Sequence, residues 1–471
     1  MKTFSLYIVT ILIVSSSMSN SNNRSLTPEK RQELIEKYSQ LITTQPNFVN
    51  YGSLARLYYQ AGRMQDAELN YAYAASFQRD FNILHEYANT LSINNKHAQA
   101  IPIYEYLTKV FPTNFKIKHN LACALKESGH IDQALAIYDQ VLVTVPNNAE
   151  VHVARALGNF KKGNLLEGWT EYEWRWKQAG MQPRVFDKPE WDGGPLHGKR
   201  ILLHAEQGLG DTFQFIRYAK IAKEQGGYVI AMIQEPLFDI MLLCPYIDEV
   251  VGLYTHTSLP EFDCHAALMT VPAIVKTTLD TIPYPDQYLQ AKPELVTYWK
   301  EKLAANTNFK IGVCWQGNAF YKDTLLQVTV MHKSIHPQML QAMCDIPNVS
   351  VYSLQKVTGV AHPEQIPSSI TIFDEEFDKA HGRFMDTAAV MCNLDLIITI
   401  DTSTAHLSAA LGVPTWVLLP EPADWRWLNE RTDTPWYSTM TLFRQQTPGQ
   451  WQPVLDRIVH ELQLLIERSH N

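Results

Sequence analysis

Two short stretches of this 471-residue chain carry residue types at a spacing suited to group transfer. The first is Asp401-Thr-Ser-Thr-Ala-His406, lying between the apolar runs Leu396 to Ile400 and Trp416 to Leu419. That order predicts a buried strand, a polar turn, a helix and a second buried strand. Asp401 is the expected N-cap, Ala405 to Leu411 has helical spacing, and Gly412 with Pro414 supplies the stop. Backbone N–H groups at such a helix start face the carboxyl edge of a parallel sheet and attract anions, so the turn is a candidate phosphate site. The second stretch is Ala205-Glu206-Gln207-Gly208-Leu209-Gly210-Asp211-Thr212, after the short apolar run Ile201 to His204. Asp211, at a loop-to-helix junction, is placed to act either as a general base or simply as an N-cap. Glu206 and His204 are its substitutes on the same loop. Gly208-x-Gly210-x-x-Phe213 lacks the third glycine of a dinucleotide fingerprint, which argues against an NAD-type site.

The elements that position these stretches alternate. From Arg200 onward the pattern is strand, glycine loop, helix through about Lys223, then a strand over Tyr228 to Ile233 and weaker ones near Val250 and Ala267. Gln287 to Asn308 and Gly359 to Ser369 read as polar connections. A second set of strands is expected at Phe309 to Trp315, Val349 to Ser353, Ile370 to Phe373, Leu396 to Ile400 and Trp416 to Leu419. Two such sheets in tandem leave a crevice, and ligands gather at the carboxyl ends of the strands, so the loop at 205–211 and the turn at 401–406 are expected to face it.

The first third is different. Gly62, Asn95, Gly129 and Gly163 recur at 33 or 34 residues. Around them recur Leu54, Tyr58, Ala67 and Tyr71; Ala88, Leu91, Ala100, Tyr104 and Pro112; Ala122, Leu125, Ala134, Tyr138 and Pro146. This is the tetratricopeptide pattern of stacked helical hairpins. A half unit with Tyr38, Leu41 and Pro46 precedes it. A degenerate unit from Ala149 to about Lys177 follows, with Gly168 where alanine is expected and aromatic residues that suit a cap or docking face. The stretch Gln178 to Lys199, rich in proline and glycine, marks a boundary.

Composition sets bounds. A net charge of −8 and an apolar content of 46% describe a globular chain of two or three domains and argue against a nucleic-acid partner. The six cysteines are scattered without metal or CxxC spacing and read as reduced core thiols. No metal site is expected.

Taken together, residues 198 to about 455 resemble the heptosyltransferase-like glycosyltransferases (glycosyltransferase family 9), and the chain from the repeats onward resembles bacterial proteins in which tetratricopeptide repeats precede such a domain. The motifs are Glu167-Gly-Trp with Trp174-Arg-Trp176, His204 to Thr212, Gly312-Val-Cys-Trp-Gln-Gly-Asn318, Ser353-Leu-Gln-Lys356, Asp401 to Leu407, and Asp424-Trp-Arg-Trp427 with Pro435-Trp-Tyr437. The resemblance implies a GT-B fold of two facing Rossmann-like domains and metal-independent, inverting sugar transfer from a nucleotide diphosphate sugar, with no cofactor. It implies Asp211 as base and Thr402, Ser403, Thr404 and His406, after Asp401, as donor-phosphate contacts. Relatives usually carry Arg-Ser-Ile where this chain has Lys333-Ser-Ile, preceded by a longer segment, Ala319 to His332. Lysine keeps the charge and loses the bidentate fork.

The expected architecture is therefore an α/β protein with an N-terminal all-α solenoid: residues 1–26 a signal-like or disordered start, 27–177 the repeats, 178–199 a linker, 200–300 the acceptor-side domain, and 301–471 the donor domain. A final helix from about Trp451 to Arg468 packs back on it. Lys333 and Lys356 would neutralise the diphosphate and Gln355 would donate hydrogen bonds to it; Gln207, Gly208, Gly210, Trp315 and Asn318 are the remaining substrate candidates. Trp315 and Trp425 suit either stacking on a ligand or core packing. His406, one turn into its helix, suits either a phosphate contact or core packing. The array would recruit an acceptor protein or an assembly complex. Two alternatives are a non-catalytic scaffold or nucleotide sensor, and a transferase acting on lipopolysaccharide or another glycan. Residues 1–17, with Lys2 and the apolar run Phe4 to Val14, fit either a secretory signal or an over-extended start ahead of Met18. The nucleotide-sugar donor favours the cytoplasm, and no membrane-spanning segment is expected.

Overall fold

The computed structural model describes residues 26–255, 258–283, 286–318, 323–356 and 360–469. The signal-like segment 1–17 and residues 319–322 of the insertion lie outside them. Helix α1 (Pro28–Thr44) is followed by four hairpins: α2 (Phe48–Gln60) with α3 (Met64–Phe77), α4 (Phe81–Ile93) with α5 (His97–Val110), α6 (Phe115–Glu127) with α7 (Ile131–Thr144), and α8 (Ala149–Lys162) with α9 (Leu165–Tyr172). The turn residues Gly62, Asn95, Gly129 and Gly163 all have positive φ, between 58° and 90°, which only glycine and asparagine adopt readily and which ends each first helix. Each first helix also starts on a side-chain cap, Asn47, Asp80, Asn114 and Asn148 in turn, whose oxygen receives N–H groups of the first turn. Ala55, Ala88, Ala122 and Ala156 are buried where helices touch. Gly168 replaces the expected alanine because a Cβ there would lie 2.3 Å from the Phe160 ring.

The first lobe is a four-stranded parallel sheet in the order β3-β2-β1-β4. It is built from β1 (Arg200–His204), β2 (Tyr228–Ile233), β3 (Glu249–Gly252) and β4 (Cys264–Ala267). The helix expected from Asp211 to Lys223 is broken into α10 (Leu209–Phe215), a 3-10 turn and α11 (Ala219–Glu224). The stretch 178–199 is packed rather than loose: Trp191 is buried and its backbone N–H donates to His265 O at 2.8 Å, extending the edge at β4.

The second lobe begins before residue 301. Helix α12 (Pro293–Leu303) buries Leu295, Trp299 and Leu303, an i, i+4, i+8 stripe inside a segment expected to be a polar connection. Trp299 Nε1 donates to Asp386 Oδ1 at 2.8 Å. Then come β5 (Phe309–Cys314), α13 (Thr324–Lys333), β6 (Val349–Ser353), α14 (Met385–Met391), β7 (Leu396–Ile400), α15 (Ser403–Ala410), β8 (Thr415–Leu419), β9 (Met440–Arg444) and α16 (Gln452–Ser469). Five parallel strands lie in the order β6-β5-β7-β8-β9. Ile370 to Phe373, expected as a strand, contributes one bridge beside β6, Thr371 to Tyr352, and the opposite edge of the sheet is formed by β9, which was not expected. α16 buries Val454, Leu455, Ile458, Leu462 and Ile466 against this lobe.

Array and lobes form one body. A single cluster of buried side chains runs from Val153, Phe160 and Trp169 of the last repeat, through Phe213 and Phe215 of the first lobe, to Ala405 and Trp425 of the second. Between the lobes, Arg217 is fully buried and donates to Trp436 O at 2.6 Å, while Ala410 O accepts from Tyr288 N and Leu289 N, each at 3.0 Å. The turns of the array run along the α/β part: a Cβ on Gly62 would lie 2.0 Å from Thr324 Cγ2, and one on Gly163 3.0 Å from Leu279 Cδ1.

Candidate functional site

β7 is buried at every position and delivers Asp401, Thr402 and Ser403, all half-buried, to the carboxyl edge of the second sheet. Thr402, rather than Asp401, is the cap residue of α15; its backbone is extended and no side chain caps the helix. The first-turn N–H groups therefore have no side-chain cap, the arrangement that receives an anion. Lys333, at the end of α13, donates from Nζ to Asp401 O at 2.9 Å, which sets its ammonium beside the turn. Thr404 is buried, and its hydroxyl points at Cys314 Sγ on β5, 3.6 Å away.

Gln355 is partly engaged within the protein, and Trp315 takes the core-packing alternative. Gln355 Oε1 accepts from Gln316 N at 3.0 Å and from Cys314 Sγ at 3.3 Å, which fixes the loop after β5. Trp315 is 1% exposed and packed among Ile335, Leu340 and Ile398, so its ring lies in the core instead of lining the crevice. Lys356 and Asn318 are exposed, Asn318 at the last described position before residues 319–322. Of the six cysteines, all unpaired, Cys392 is exposed and Cys123 and Cys344 are half-buried, so only three are core thiols.

His406 is buried, with Nδ1 2.8 Å from Tyr437 Oη and its ring stacked on Trp427 at 5.6 Å between centroids. Burial, reinforced by the charge of Arg426, pushes its pKa down to about 3, so the imidazole is neutral. The glycine loop of the first lobe also approaches the ring: a Cβ on Gly210 would come 2.9 Å from His406 Cδ2 and 3.6 Å from Ser403 Cα. Gly210 is what lets the two helix starts approach this closely.

Asp211 sits in the first turn of α10, where Oδ2 accepts from Gly208 N at 2.8 Å. Its Oδ1 is ion-paired with Arg426 of the second lobe. Burial, with Asp424 and Asp401 nearby, holds the carboxyl above the ordinary aspartate value against the pull of Arg426 and of the Gly208 N–H. Gln207 Nε2 donates to Tyr172 Oη of the last repeat at 3.0 Å, and Gln207 O accepts from Gln234 at 2.7 Å. Glu206 is tied up by the fully buried Arg175 at 3.0 Å, and His204 is kept neutral by burial and Arg184, with a pKa near about 3, so neither substitute for Asp211 is free to act.

Arg426 is the residue of this candidate site that sequence reasoning missed. Besides Asp211 it donates from Nη1 to Asp424 Oδ1 at 3.0 Å and from Nε to Gln214 Oε1 at 2.7 Å. An arginine between two tryptophans, in Asp424-Trp-Arg-Trp427, was the available signal; its partner lies 215 residues away in sequence. Among the described residues, no group of three or more His, Cys, Asp or Glu is placed to hold a metal ion.

The chain is thus a helical-repeat array followed by two parallel-sheet α/β lobes that meet at a carboxylate, a histidine and an open helix start. A tetratricopeptide-repeat family model matches residues 93–157. Protein FlbA of Caulobacter vibrioides is 25% identical over an alignment of 350 residues that covers 67% of this chain and 55% of that protein; the chain thus spans about half of that relative's length. Among solved structures, a glycosyl transferase family 9 protein from Veillonella parvula matches 59% of this chain and all of its own at 11% identity, with a TM-score of 0.44. MamA matches 32% of this chain and 88% of its own at 14% identity and a TM-score of 0.29. YrrB, described as a tetratricopeptide protein with an unusual peptide-binding site, matches 36% of this chain and 84% of its own at 13% identity and a TM-score of 0.30. No helix among the described residues is long and apolar enough to cross a membrane.

Proposed function

We propose that the chain transfers a glycosyl group from a nucleotide diphosphate sugar to an acceptor hydroxyl on a protein brought in by the repeat array, with inversion at the anomeric carbon. The observation that carries this is the meeting of Asp211 with the open start of α15 across Gly210, which brings a proton acceptor and a phosphate cradle to one point. In the transfer, the acceptor oxygen bonds to the anomeric carbon as its proton passes to Asp211. The bond from that carbon to phosphate breaks, and the nucleoside diphosphate leaves with the electron pair. Lys333 and the first-turn N–H groups at Thr402 to Thr404 meet the charge that grows on the leaving group, without a metal ion or cofactor in the scheme. Asp401, half-buried at that turn, gives its carbonyl to Lys333 and so keeps the ammonium in place. Work with a nucleotide sugar favours a cytoplasmic setting.

One observation favours a second reading, a non-catalytic nucleotide sensor or scaffold. Both oxygens of Asp211 are engaged, one by Arg426 and one by Gly208 N. The experiment that separates them uses ADP, GDP, UDP and CDP in a thermal-shift screen, then hydrolysis of the corresponding sugar donors by wild type and Asp211→Asn. We expect one nucleotide to stabilise both proteins and hydrolysis to fall about 100-fold or more in the variant. A shift without hydrolysis selects the sensor, and no shift with any nucleotide removes the transferase and the sensor and leaves the scaffold. Mass increments on co-expressed proteins test the protein acceptor; a modified glycan in their place defeats it.

A further inference from the structure

The segment Asp424 to Trp427 sends successive side chains to three different parts of the fold, the array and each of the two lobes. Asp424 caps the short 3-10 turn, accepting from Arg426 N at 2.9 Å. Trp425, 2% exposed, goes to the array: its ring stacks on Phe160 at 4.4 Å and meets Trp169 edge-on at 5.6 Å. Arg426 goes to the first lobe, to Asp211 and Gln214, with its guanidinium 4.5 Å from the Trp425 ring. Trp427, fully buried, backs His406 at the phosphate turn. Leu428 closes the turn at φ 55°, a conformation a leucine holds only where its surroundings impose it. Each residue is therefore fixed by a different partner, and a displacement of one is passed to the next.

We propose that the last repeat is a structural part of the chemical site: through Trp425 it sets the place of Arg426, and Arg426 is a positioning residue that sets the orientation and charge of Asp211. The proposal deepens the transferase reading, since it rests on Asp211 as the proton acceptor. The array does not merely deliver a partner; whatever moves its last hairpin alters the carboxylate that does the chemistry. Asp211 is faced by Arg426 and Asp424 from this segment, by Asp401 from the turn after β7, by Glu206 from its own loop, and by the neutral His406 from α15. Of these only Arg426 is a cation, so its removal shifts the proton affinity of Asp211 in one direction, upward.

The test is the pH profile of donor hydrolysis by the full chain, with a set of UDP-, GDP- and ADP-sugars as probes. The acid limb of kcat/KM reports the ionisation of Asp211. Arg426→Met is expected to move that limb upward by about one pH unit or more, and Arg426→Lys to restore part of the shift. Trp425→Leu, which keeps the arginine but removes the ring held by the array, moves the limb the same way by less, and Trp425→Phe leaves it nearly in place. A uniform loss at all pH values in Arg426→Met, with the limb unmoved, overturns the role of Arg426. A limb that moves in Arg426→Met and not in Trp425→Leu overturns the role of the array. If wild type hydrolyses no donor, the transferase reading fails by itself, and deuterium exchange over residues 205–215 then decides the inference. Faster exchange in both Arg426→Met and Trp425→Leu supports it, and unchanged exchange sinks it.

Discussion

Replacing Glu127 with glutamine isolates one electrostatic feature of the array without changing its shape. Glu127 closes α6 and is 6% exposed; Lys126 and Lys161 beside it are 3% and 4% exposed. Lys126 Nζ lies 2.9 Å from Oε1 and Lys161 Nζ 2.5 Å from Oε2, so one carboxylate serves two ammonium groups from adjacent repeats. Burial alone would raise the Glu127 carboxyl, but the two lysines outweigh it and hold the group well below the usual range. Removing one partner of a buried pair costs about 3–5 kcal/mol, because the other charge stays buried. Asp424 and Glu421 of the second lobe still act on these lysines, so the lower end, about 3 kcal/mol, is expected. For a unit of the array's size that is a fall of roughly 6–12 °C in melting temperature. Since a chain of several units does not melt in one step, deuterium exchange of α6 and α8 is the measurement. The pH dependence carries a sign as well. A carboxyl held low contributes stability that is complete above its unfolded value of about 4.3 and is lost as pH falls through and below it, and this loss should be absent from Glu127→Gln. A variant within about 0.5 kcal/mol of wild type would refute the reasoning, since it would mean that the two lysines are hydrated or neutral.

Two further outcomes are expected. Gly210→Ala puts a methyl group 2.9 Å from His406, whose ring is held by Tyr437 and Trp427; an overpacking cost of about 1–3 kcal/mol exceeds the helix-propensity gain of up to about 1, and calorimetry should show a net loss. A gain in stability would mean that the lobes part freely at this point. Acid should also destabilise the fold through His97, His204 and His406, whose pKa values burial lowers to about 4, 3 and 3. Each must take up a proton on unfolding, so stability falls as pH drops below about 6.5 and goes on falling to the folded values. His97, with neither ring nitrogen hydrogen-bonded, is the residue to replace: His97→Leu should be neutral or stabilising by about 1 kcal/mol and should flatten the acid slope, as urea titrations at several pH values would show.

What was legible in the sequence is what local chemistry dictates. The period of Gly62, Asn95, Gly129 and Gly163 marks the hairpins because each position needs positive φ, and the caps Asn47, Asp80, Asn114 and Asn148 keep nearly the same spacing unnoticed. The buried strand before Asp401 and the helix after it followed from an apolar run and a glycine stop. What was not legible depends on distant partners. Ile370 to Phe373 looks like a strand, but the neighbour it would need takes it at one bridge only, whereas β9 is a strand because β8 offers it an edge. Trp315 looks like a stacking residue until Ile335 and Leu340 are folded around it. Arg426 has meaning only once Asp211, from another lobe, is beside it.

The two ends of the array's turn edge are both spoken for: Gly62 abuts Thr324 of the second lobe and Gly163 abuts Leu279 of the first. In an open solenoid, repeats can be gained or lost because each touches only its neighbours. Here the array acts as a spacer cut to length. Adding or deleting one hairpin between those glycines would carry one end past its seat by the width of a repeat. It would also pull α13, and with it Lys333, away from the turn at Asp401. The number of hairpins between Gly62 and Gly163 is thereby tied to the span of the two lobes, and descendants of this chain can vary the faces of those repeats far more freely than their count.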